Sequence, residues 1–458
     1  MAQIETDYDW PGQYKPFNHQ KITSAFLTER PRAFCFNEQG TGKTASVIWA
    51  ADYLMNLGLV KRVLVVCPLS IMKSAWQNDL FKFACHRSCD IAYGDKKKRT
   101  KIINGGAEFV IINFDGLAIV QEVIAAGGFD LIVVDEASAY KNVSTERWKI
   151  LRDLCKDIRG LWMLTGTPAA QSPVDAYGLA KLINPDNVPK FFGSFRDQVM
   201  YKVGMYRWVP KANAQDVVHQ ALQPAIRFEK NQCLDLPDVT HVERDAPLTP
   251  QQNKYYQKLK NDMIIQAAGE EISSANAATS INKLLQISGG AVYTDTKEVV
   301  EFDVSNRLQV VKEVIDEASH KVLVFVPFTH TIELLKTYLT KHGVANDVIN
   351  GQVPVARRNT IIQDFQETDN IQVLIIQPQA ASHGLTLTAA NVIIWYAPVM
   401  SVETYLQANA RINRPGQKNP MTIVHIKGSE VESKLYKMLN NNIDNHTRLI
   451  DLYRQEIK

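Results

Sequence analysis

Short runs of β-branched and other apolar residues alternate with longer amphipathic stretches from residue 32 to residue 168. The apolar runs predict five strands, over residues 33–36, 63–67, 109–113, 131–134 and 161–164. The stretches between them predict helices, for example over 44–57 and 70–83. Strands that alternate with helices in this way are typical of a mainly parallel sheet covered on both faces.

The same alternation returns after residue 305. Here the pattern predicts helices over 305–320, 329–342, 354–365 and 401–411, and strands over 322–325, 373–376 and 392–395. The middle of the chain lacks this rhythm. We therefore predict an α/β fold with two parallel-sheet lobes, 1–185 and 301–458, and a small, mainly helical insertion over 186–300.

The insertion contains a segment, 190–211, with six aromatic residues and five basic residues against one acidic residue. Basic and aromatic residues interleaved in this way can stack bases and hold phosphates. The alternative, which we favour, is a small helical subdomain that buries its aromatic rings. A second basic cluster, 96–101, is interpreted as a solvated loop or helix face.

Composition is that of an ordinary folded protein, with 45% hydrophobic and 22% charged residues, which excludes a disordered chain. The formal charge of +3 does not by itself predict a nucleic-acid partner. The six cysteines contain no C-x-x-C pair, so Cys85, His86 and Cys89 form at most half of a metal site. An acidic N-terminus and short apolar runs predict neither secretion nor a membrane span.

The clearest chemical signal is the sequence Gly-Thr-Gly-Lys-Thr at positions 40–44, after an apolar strand and before a helix pattern. Glycines let backbone N–H groups approach phosphate oxygens, and a helix N-terminus adds partial positive charge. Lys43 would reach the β- and γ-phosphates, and the Thr44 hydroxyl would bind Mg²⁺. The strict phosphate-loop pattern has glycine where this chain has Asn37, so alone the motif could be a glycine turn beside a lysine.

Two acids, Asp135 and Glu136, follow the predicted strand 131–134. Ligands of open α/β sheets collect at the carboxyl ends of strands. Asp135 would hold Mg²⁺, and Glu136 would orient and deprotonate the attacking water. Paired acids after a strand are also common as helix caps, but together with the glycine motif they predict a nucleoside triphosphatase.

A third constellation lies near the end of the second lobe. Gln407, Arg411 and Arg414 are spaced by four and three residues, so a continuous helix would show them on one face. Arginines can neutralise the charge that develops on a transferred phosphate. The alternative is a pair of surface salt bridges.

The set and order of these motifs resemble the superfamily 2 helicases and translocases, and within them the Swi/Snf-like ATPases. The matching segments, in chain order, are 17–20, 37–44, 67–70, 112–114, 135–142, 164–168, 227–237, 324–325, 351–357, 382–387 and 407–417. Members of this group often carry Asp at the position of Asn37. The chain departs from the group at Ser138, at Asn413 and at 399–401, where the group usually has histidine, histidine and Trp-Asn-Pro.

The resemblance implies two RecA-like lobes with ATP bound in the cleft between them and Mg²⁺ as the metal. It implies catalytic roles for Lys43, Asp135, Glu136, Arg411 and Arg414, and Mg²⁺ binding by Thr44 and Asp135. It implies ATP binding by Gln20, Gly40, Thr41, Gly42, Lys43, Thr44, Gly384 and Gln407. The DNA contacts that it implies are at Pro68, Ser70, Asn113, Thr167, Thr329 and Ser382.

The resemblance further implies a motor that tracks duplex DNA without sequence preference. The chain is short for this group and is similar in size to small phage or bacterial members. We therefore expect a cytoplasmic protein of bacteria or phage-infected cells, monomeric by preference, that migrates forks and four-way junctions in replication, recombination or repair. Three alternatives stay open: a remodeller that displaces DNA-bound proteins such as a polymerase, an RNA helicase, and a non-enzymatic DNA-binding protein with a degenerate ATPase fold.

Overall fold

The chain folds into two compact units, Met1–Asp235 and Leu236–Lys458. The computed structural model describes residues 3–12, 14–166, 169, 172–203, 207–233, 237–269, 274–293, 299–381, 386–414 and 416–440. Of the segment predicted as an insertion, 186–300, the part up to residue 235 belongs to the first unit and the remainder belongs to the second.

Unit 1 is built on one parallel sheet. Its strands are β1 (Arg32–Cys35), β2 (Val63–Cys67), β3 (Cys89–Ile91), β4 (Phe109–Asn113), β5 (Leu131–Asp135), β6 (Gly160–Leu164), β7 (Met200–Val203), β8 (Arg207–Pro210) and β9 (Ala225–Ile226). Its helices are α1 (Ile4–Asp7), α2 (Asn18–Thr28), α3 (Lys43–Asn56), α4 (Asn78–Phe83), α5 (Lys96–Ile103), α6 (Phe114–Ala125), α7 (Glu146–Asp157), α8 (Ala176–Ile183), α9 (Phe192–Val199), α10 (Ala214–Ala221) and α11 (Lys230–Cys233).

Seven of these strands form the sheet in the order β3-β4-β2-β5-β6-β1-β9, and every neighbouring pair is parallel. Strands β2 and β6 are buried along their whole length, which explains their continuous apolar sequences. Successive side chains enter opposite cores, since Leu64 packs in one cluster and Val65 in the other. Strands β7 and β8 form a separate antiparallel hairpin.

Unit 2 repeats this design. Its strands are β10 (Val239–Asp245), β11 (Ala291–Tyr293), β12 (Val299–Glu301), β13 (Lys321–Phe325), β14 (Asn346–Ile349), β15 (Val373–Ile376), β16 (Ala390–Trp395) and β17 (Met421–Lys427). Its helices are α12 (Pro250–Gly269), α13 (Ser274–Gly289), α14 (Ser305–Glu317), α15 (Thr329–Lys341), α16 (Val355–Glu367), α17 (Val402–Asn409) and α18 (Glu430–Asn440). Six strands form a parallel sheet in the order β10-β17-β16-β13-β15-β14. Two parallel sheets confirm the predicted class of two RecA-like lobes.

Several elements differ from the predicted pattern. The single helix expected over 70–83 is a 3₁₀ turn (Leu69–Ile71), a π-helical stretch (Met72–Gln77) and α4. The edge strand β10 was missed because it exposes most of its side chains and therefore lacks an apolar run.

The prediction for the aromatic segment 190–211 was wrong in two respects. The segment contains α9 and the β7–β8 hairpin, so it is not wholly helical. Phe195 is buried, whereas Phe191, Phe192 and Tyr201 are exposed.

The sequence predicts neither a membrane span nor a complete metal site at Cys85, and the described part of the chain can be examined for both. None of its helices combines the length and apolar character that crossing a bilayer requires. Around Cys85, as elsewhere in the described ranges, no three His, Cys, Asp or Glu side chains are grouped to hold a metal ion.

Candidate nucleotide-binding site

The glycine motif forms the connection between β1 and α3, at the carboxyl edge of the first sheet. Gly40 and Gly42 have φ angles of +87° and +79°, which favour glycine over residues with a side chain. A Cβ atom on Gly42 would also collide with the amide nitrogen of Gln20. The loop therefore needs glycine at this position for both its conformation and its close approach to α2.

Lys43 is the first residue of α3, and its side chain folds back over the loop. The Nζ atom donates hydrogen bonds to the carbonyl oxygens of Asn37 (2.8 Å) and Glu38 (3.2 Å). Thr44 follows at the second helical position. The ammonium group and the hydroxyl thus sit beside a helix N-terminus, where backbone N–H groups and the helix dipole favour an anion.

Asn37 connects three parts of the unit and is only 1% exposed. Its Oδ1 atom accepts a hydrogen bond from the backbone N–H of Phe228 (2.9 Å), and its Nδ2 atom donates to Thr23 Oγ1 (2.8 Å). The side chain therefore joins α2, the glycine loop and the segment after β9. Sequence reasoning noted Asn37 only as a departure from glycine and missed this bracing role.

The glutamine motif contacts the same loop. Gln20 Oε1 accepts from the backbone N–H of Phe17 (2.9 Å), and its Nε2 donates to the carbonyl of Thr41 (3.2 Å). The neighbouring His19 Nε2 lies 2.8 Å from the same carbonyl oxygen, so this nitrogen is the donor. The predicted residue Gln20 is thus placed against the loop, and His19, which the sequence analysis did not single out, reinforces it.

Asp135 is the last residue of β5, and Glu136 follows in the turn to a 3₁₀ helix. The indole N–H of Trp76 donates to Asp135 Oδ2 (2.9 Å), and the backbone N–H of Glu136 donates to Oδ1 (3.0 Å). Burial raises the pKa of the Asp135 carboxyl, while the nearby charge of Lys43 and the Trp76 hydrogen bond oppose that shift. Trp76 lies on the π-helical stretch, and no sequence signal pointed to it.

Glu136 has φ +58° and ψ +57°, a left-handed conformation that is uncommon for a residue with a side chain. Such a conformation costs on the order of 1 kcal/mol, and residues of this kind cluster at functional sites. Here it turns the chain sharply between β5 and the 3₁₀ helix Ala137–Tyr140.

The end of β6 adjoins the glycine loop. The backbone N–H of Thr165 donates to the carbonyl of Cys35 (3.2 Å), and a Cβ atom on Gly166 would contact Gln39. Thr167, predicted to contact DNA, lies outside the described residues.

The other DNA contacts predicted in unit 1 come together at the ends of neighbouring strands. Asn113 ends β4 and pairs with Cys67 at the end of β2, and Pro68 and Ser70 follow β2 directly. The guanidinium of Arg99, 4% exposed, donates to Asn113 Oδ1 (3.1 Å). The role of these residues in DNA binding stays a prediction.

In unit 2, Gln407, Arg411 and Arg414 do not lie on one helix, which corrects the prediction made from their spacing. Helix α17 carries Gln407 and ends at Asn409, so Arg411 and Arg414 lie in the turn that follows. The helix ends here because the backbone N–H of Arg411 donates to the carbonyl of Ala408, which forms a tight turn. The carbonyl of Arg411 accepts from the backbone N–H of Leu387.

Contacts of the motif side chains in unit 2 are mostly local. Gln407 Nε2 donates to Glu403 (3.2 Å), and Arg411 is buried. Arg414 donates to the carbonyl of Ala410 (2.8 Å) and to Thr386 Oγ1 (3.2 Å). Thr329 is the first residue of α15. The remaining residues predicted here, Ser382 and Gly384, lie outside the described residues.

Family models match most of the chain. An SNF2-related domain matches residues 19–289, and a helicase conserved C-terminal domain matches residues 306–416.

Individual proteins match over similar lengths. A mouse protein named Chromodomain-helicase-DNA-binding protein 1-like is 26% identical over 421 residues, which cover 88% of this chain and 46% of the relative. Putative protein p41 of Acyrthosiphon pisum secondary endosymbiont phage 1 is 23% identical over 444 residues, which cover 90% of this chain and 93% of p41. The chain spans less than half the length of the first curated relatives that it matches.

Among solved structures, the Sulfolobus solfataricus SWI2/SNF2 ATPase core in complex with dsDNA matches with a TM-score of 0.47 and 19% sequence identity. The match covers 98% of this chain and 95% of that chain.

Proposed function

The chain belongs to the SNF2-related family, as its motifs predicted, and from this premise we propose that it is an ATP-driven motor that moves along duplex DNA and migrates branched DNA. The observation that carries the proposal is the arrangement at the carboxyl edge of the first sheet. There the loop that holds Lys43 lies near the half-buried Asp135, whose carboxylate feels the charge of Lys43.

Each group at this edge has a step to perform in ATP hydrolysis. Lys43 binds the β- and γ-phosphates, to which its ammonium can turn from the carbonyls of the loop. Glu136 orients the attacking water and accepts its proton. Gln20, held between Phe17 and Thr41, reads the adenine.

The residues present fit a magnesium ion. Asp135 is an oxygen donor whose charged form is disfavoured by burial, and Thr44 provides a hydroxyl on the adjacent helix. Bound Mg²⁺ would supply charge neutralisation of the phosphate oxygens. Asp135 and Thr44 would hold it, and Trp76 would fix the orientation of the Asp135 carboxylate through its hydrogen bond.

Duplex DNA is the proposed track because the predicted contacts Pro68, Ser70 and Asn113 meet at one edge of the sheet. Such contacts to the phosphate backbone bind without sequence preference and weaken as salt rises. The name of the mouse relative contains both helicase and DNA-binding, which supports the same substrate class.

Branch migration is the finer part of the proposal. The phage protein p41 matches over nearly its whole length, which supports a role in bacterial or phage-infected cells, where forks and junctions are remodelled during replication and recombination. The alternative that the motifs leave open is displacement of a DNA-bound protein.

ATP turnover with different nucleic acids tests the proposal. We expect strong stimulation by duplex DNA and by a four-way junction, weaker stimulation by single-stranded DNA, and none by RNA. Stimulation by RNA alone would overturn the substrate class. If duplex DNA stimulates turnover but a synthetic Holliday junction is not moved with ATP, branch migration is wrong and displacement of a bound protein becomes the function to test.

A further inference from the structure

The guanidinium of Arg99 lies at the carboxyl edge of the first sheet, where β3 and β4 end. Its Nε atom donates to the carbonyl of Gly94 (2.7 Å), and its Nη1 atom donates to the carbonyl of Ala92 (2.5 Å) and to Asn113 Oδ1 (3.1 Å). Ala92 follows β3 directly, and Asn113 is the last residue of β4. One side chain of α5 therefore joins the ends of two strands.

Arg99 is a buried cation whose hydrogen-bond acceptors are all uncharged. The residue is 4% exposed, and no carboxylate of the described residues forms an ion pair with it. Burial lowers the pKa of its guanidinium, and the influence of Tyr93 opposes that shift. Removing a charge from water is costly unless an opposite charge compensates it. An anion that reaches the guanidinium would supply that compensation.

The guanidinium also fixes the orientation of the Asn113 amide. A guanidinium has only donors, so the amide atom that faces it must be the oxygen. The Nδ2 group of Asn113 and the Nη2 group of Arg99 have no acceptor among the residues that the structure describes. Asn113 is half-buried, so its amide is accessible from outside. The pair thus has N–H donors left for an external acceptor.

Asn113 does not use its side chain in the way that is usual at its position. It is the N-cap residue of α6, where an asparagine oxygen normally accepts from an N–H of the first turn. The side chain makes no such bond here, because its oxygen is held by Arg99. A Cβ atom on Gly116, in the first turn of α6, would collide with both side chains. The packing therefore keeps the pair in one arrangement.

The surrounding charge favours an anion. Residues 96–101 include four exposed lysines together with Arg99 and contain no acid. The acids beside these elements are engaged, since Asp95 accepts from the backbone N–H of Lys98 (2.8 Å) and Asp115 pairs with Arg147 at 3.0 Å. N–H donors next to uncompensated positive charge suit a phosphate, which is anionic and accepts hydrogen bonds.

We propose that Arg99 and Asn113 together bind one phosphate of the DNA backbone, with Nη2 and Nδ2 as the donors. The predicted DNA contacts Pro68 and Ser70 follow β2, which pairs with β4, so the phosphate belongs to the DNA along which the motor moves. Arg99 is then a ligand of the phosphate and also the residue that positions Asn113. The inference deepens the proposed function and rests on it, because it names the atoms that hold the track.

Asn113→Asp separates DNA binding from a structural role. The new carboxylate has nearly the same shape and pairs with Arg99, so the midpoint of urea denaturation should equal or exceed that of the wild type. It also replaces the amide donors and repels a phosphate, so the affinity for a blunt DNA duplex of about 20 base pairs should fall by about tenfold. The slope of log affinity against log salt should become shallower by about 0.9, because one phosphate contact is lost.

Three further variants complete the experiment. Asn104→Asp makes the same change of charge at an exposed asparagine that follows the last residue of α5, and it should bind the duplex as the wild type does. Arg99→Gln and Asn113→Ala should each weaken duplex binding. Their double variant should lose no more than the weaker-binding single variant, because both residues hold one phosphate. An RNA duplex of the same length is the second probe.

The outcomes distinguish the inference from the function on which it rests. Wild-type duplex affinity and salt slope in a folded Asn113→Asp variant would overturn the inference and leave the bond to Arg99 a structural one. Additive losses in the double variant would contradict a shared phosphate. A loss with the RNA duplex alone would assign the site to RNA instead. If the wild type binds no duplex DNA, the proposed function itself fails.

Discussion

The residues that the motifs predict for ATP hydrolysis lie in two regions, one in each unit, and these regions are built differently. In unit 1 the side chains sit at the ends of β1 and β5 and are held by partners from distant elements. Asp135 is hydrogen-bonded to Trp76, which lies 59 residues away in the sequence, and Asn37 is hydrogen-bonded to Phe228, which lies 191 residues away. In unit 2, Arg414 is held by Ala410, only four residues away, and by Thr386.

This difference concerns how each site keeps its geometry. Long-range bonds to buried partners fix the phosphate loop of unit 1 before any nucleotide arrives, which is the preorganisation that phosphate chemistry requires. The arginine turn of unit 2 follows a helix end, and Arg414 is held there by one local hydrogen bond, to Ala410, and by one to Thr386 on the loop before β16. We therefore expect changes that loosen the glycine loop of unit 1 to affect both ATP binding and turnover, and changes at the arginines of unit 2 to affect turnover alone.

The largest effect is expected at Glu136. Glu136→Gln removes the base while keeping the shape of the side chain, so turnover should fall by about 10³-fold with ATP binding retained. Steady-state hydrolysis and nucleotide binding measure the two effects. Glu122→Gln, at an exposed acid on α6, is the matched control and should be neutral. Normal turnover in Glu136→Gln would assign the base elsewhere.

The next effect probes the turn in unit 2. Arg414→Ala should lower the maximal rate by about 10²-fold and leave the KM for ATP nearly unchanged, because the guanidinium acts on charge that develops in the transition state. Arg244→Ala removes an exposed ion pair with Glu317 on the same unit and serves as the control. A rise in KM without loss of rate would show that Arg414 binds ground-state ATP and would end the contrast between the regions.

Asn37 tests the bracing of the phosphate loop. Asn37→Ala leaves the Phe228 N–H without its acceptor and removes the donor to the Thr23 hydroxyl, which keeps its hydrogen bond to His19, so unit 1 should lose about 2 kcal/mol of unfolding free energy. The KM for ATP should rise as the loop loosens. Asn37→Asp keeps an acceptor for Phe228 and should lose much less. Chemical denaturation and ATP titration measure the two effects. An unchanged unfolding free energy and KM in Asn37→Ala would show that the hydrogen bonds of Asn37 do not stabilise the loop.

Lowering the pH is expected to change the stability of the two units with opposite sign. Burial raises the pKa of Asp135 in unit 1, so that group contributes stability at low pH that is lost as pH rises through its folded pKa. In unit 2, burial and the neighbouring His241 lower the pKa of His425 to about 4. Neutral His425 therefore contributes stability to the folded state that is fully present above the ordinary pKa of histidine, near 6.5, and that decreases as the pH drops toward 4.

The consequence for unit 2 is measurable. The His425 contribution to unfolding free energy should decrease by about 1.4 kcal/mol between pH 7.5 and 5.5. Urea denaturation at the two pH values measures it, and His425→Phe, which packs a neutral ring among Tyr405 and Tyr436, should remove that part of the dependence. The same decrease in His425→Phe would assign the acid sensitivity to another group.

Much of the fold could be read from the sequence, because buried parallel strands appear as continuous apolar runs. Strands β2, β4 and β15 begin and end where the runs do. Strand β10 could not be found in this way, because most of its side chains are exposed and its sequence is largely polar. The break in the predicted helix 70–83 likewise depends on tertiary contacts that a local periodicity does not contain.

The candidate site shows the same limit. Lys43 and Asp135 could be predicted as site residues because a loop and a strand end each have a local signature. Trp76, His19 and the bracing role of Asn37 were missed because their importance lies in contacts with residues far along the chain. The spacing of Arg411 and Arg414 predicted that both lie on a helix with Gln407, but α17 ends at Asn409. The backbone of Arg411 instead hydrogen-bonds to Ala408 and Leu387, and these bonds replace the helical ones.

The most direct test of the account is ATP turnover of Lys43→Ala at saturating duplex DNA, beside the wild type and Lys61→Ala, a change at an exposed lysine of the same unit. We expect the turnover of Lys43→Ala to fall to background while Lys61→Ala keeps the wild-type rate, and both variants should still bind duplex DNA. Wild-type turnover in Lys43→Ala would contradict the assignment of this loop as the ATP site.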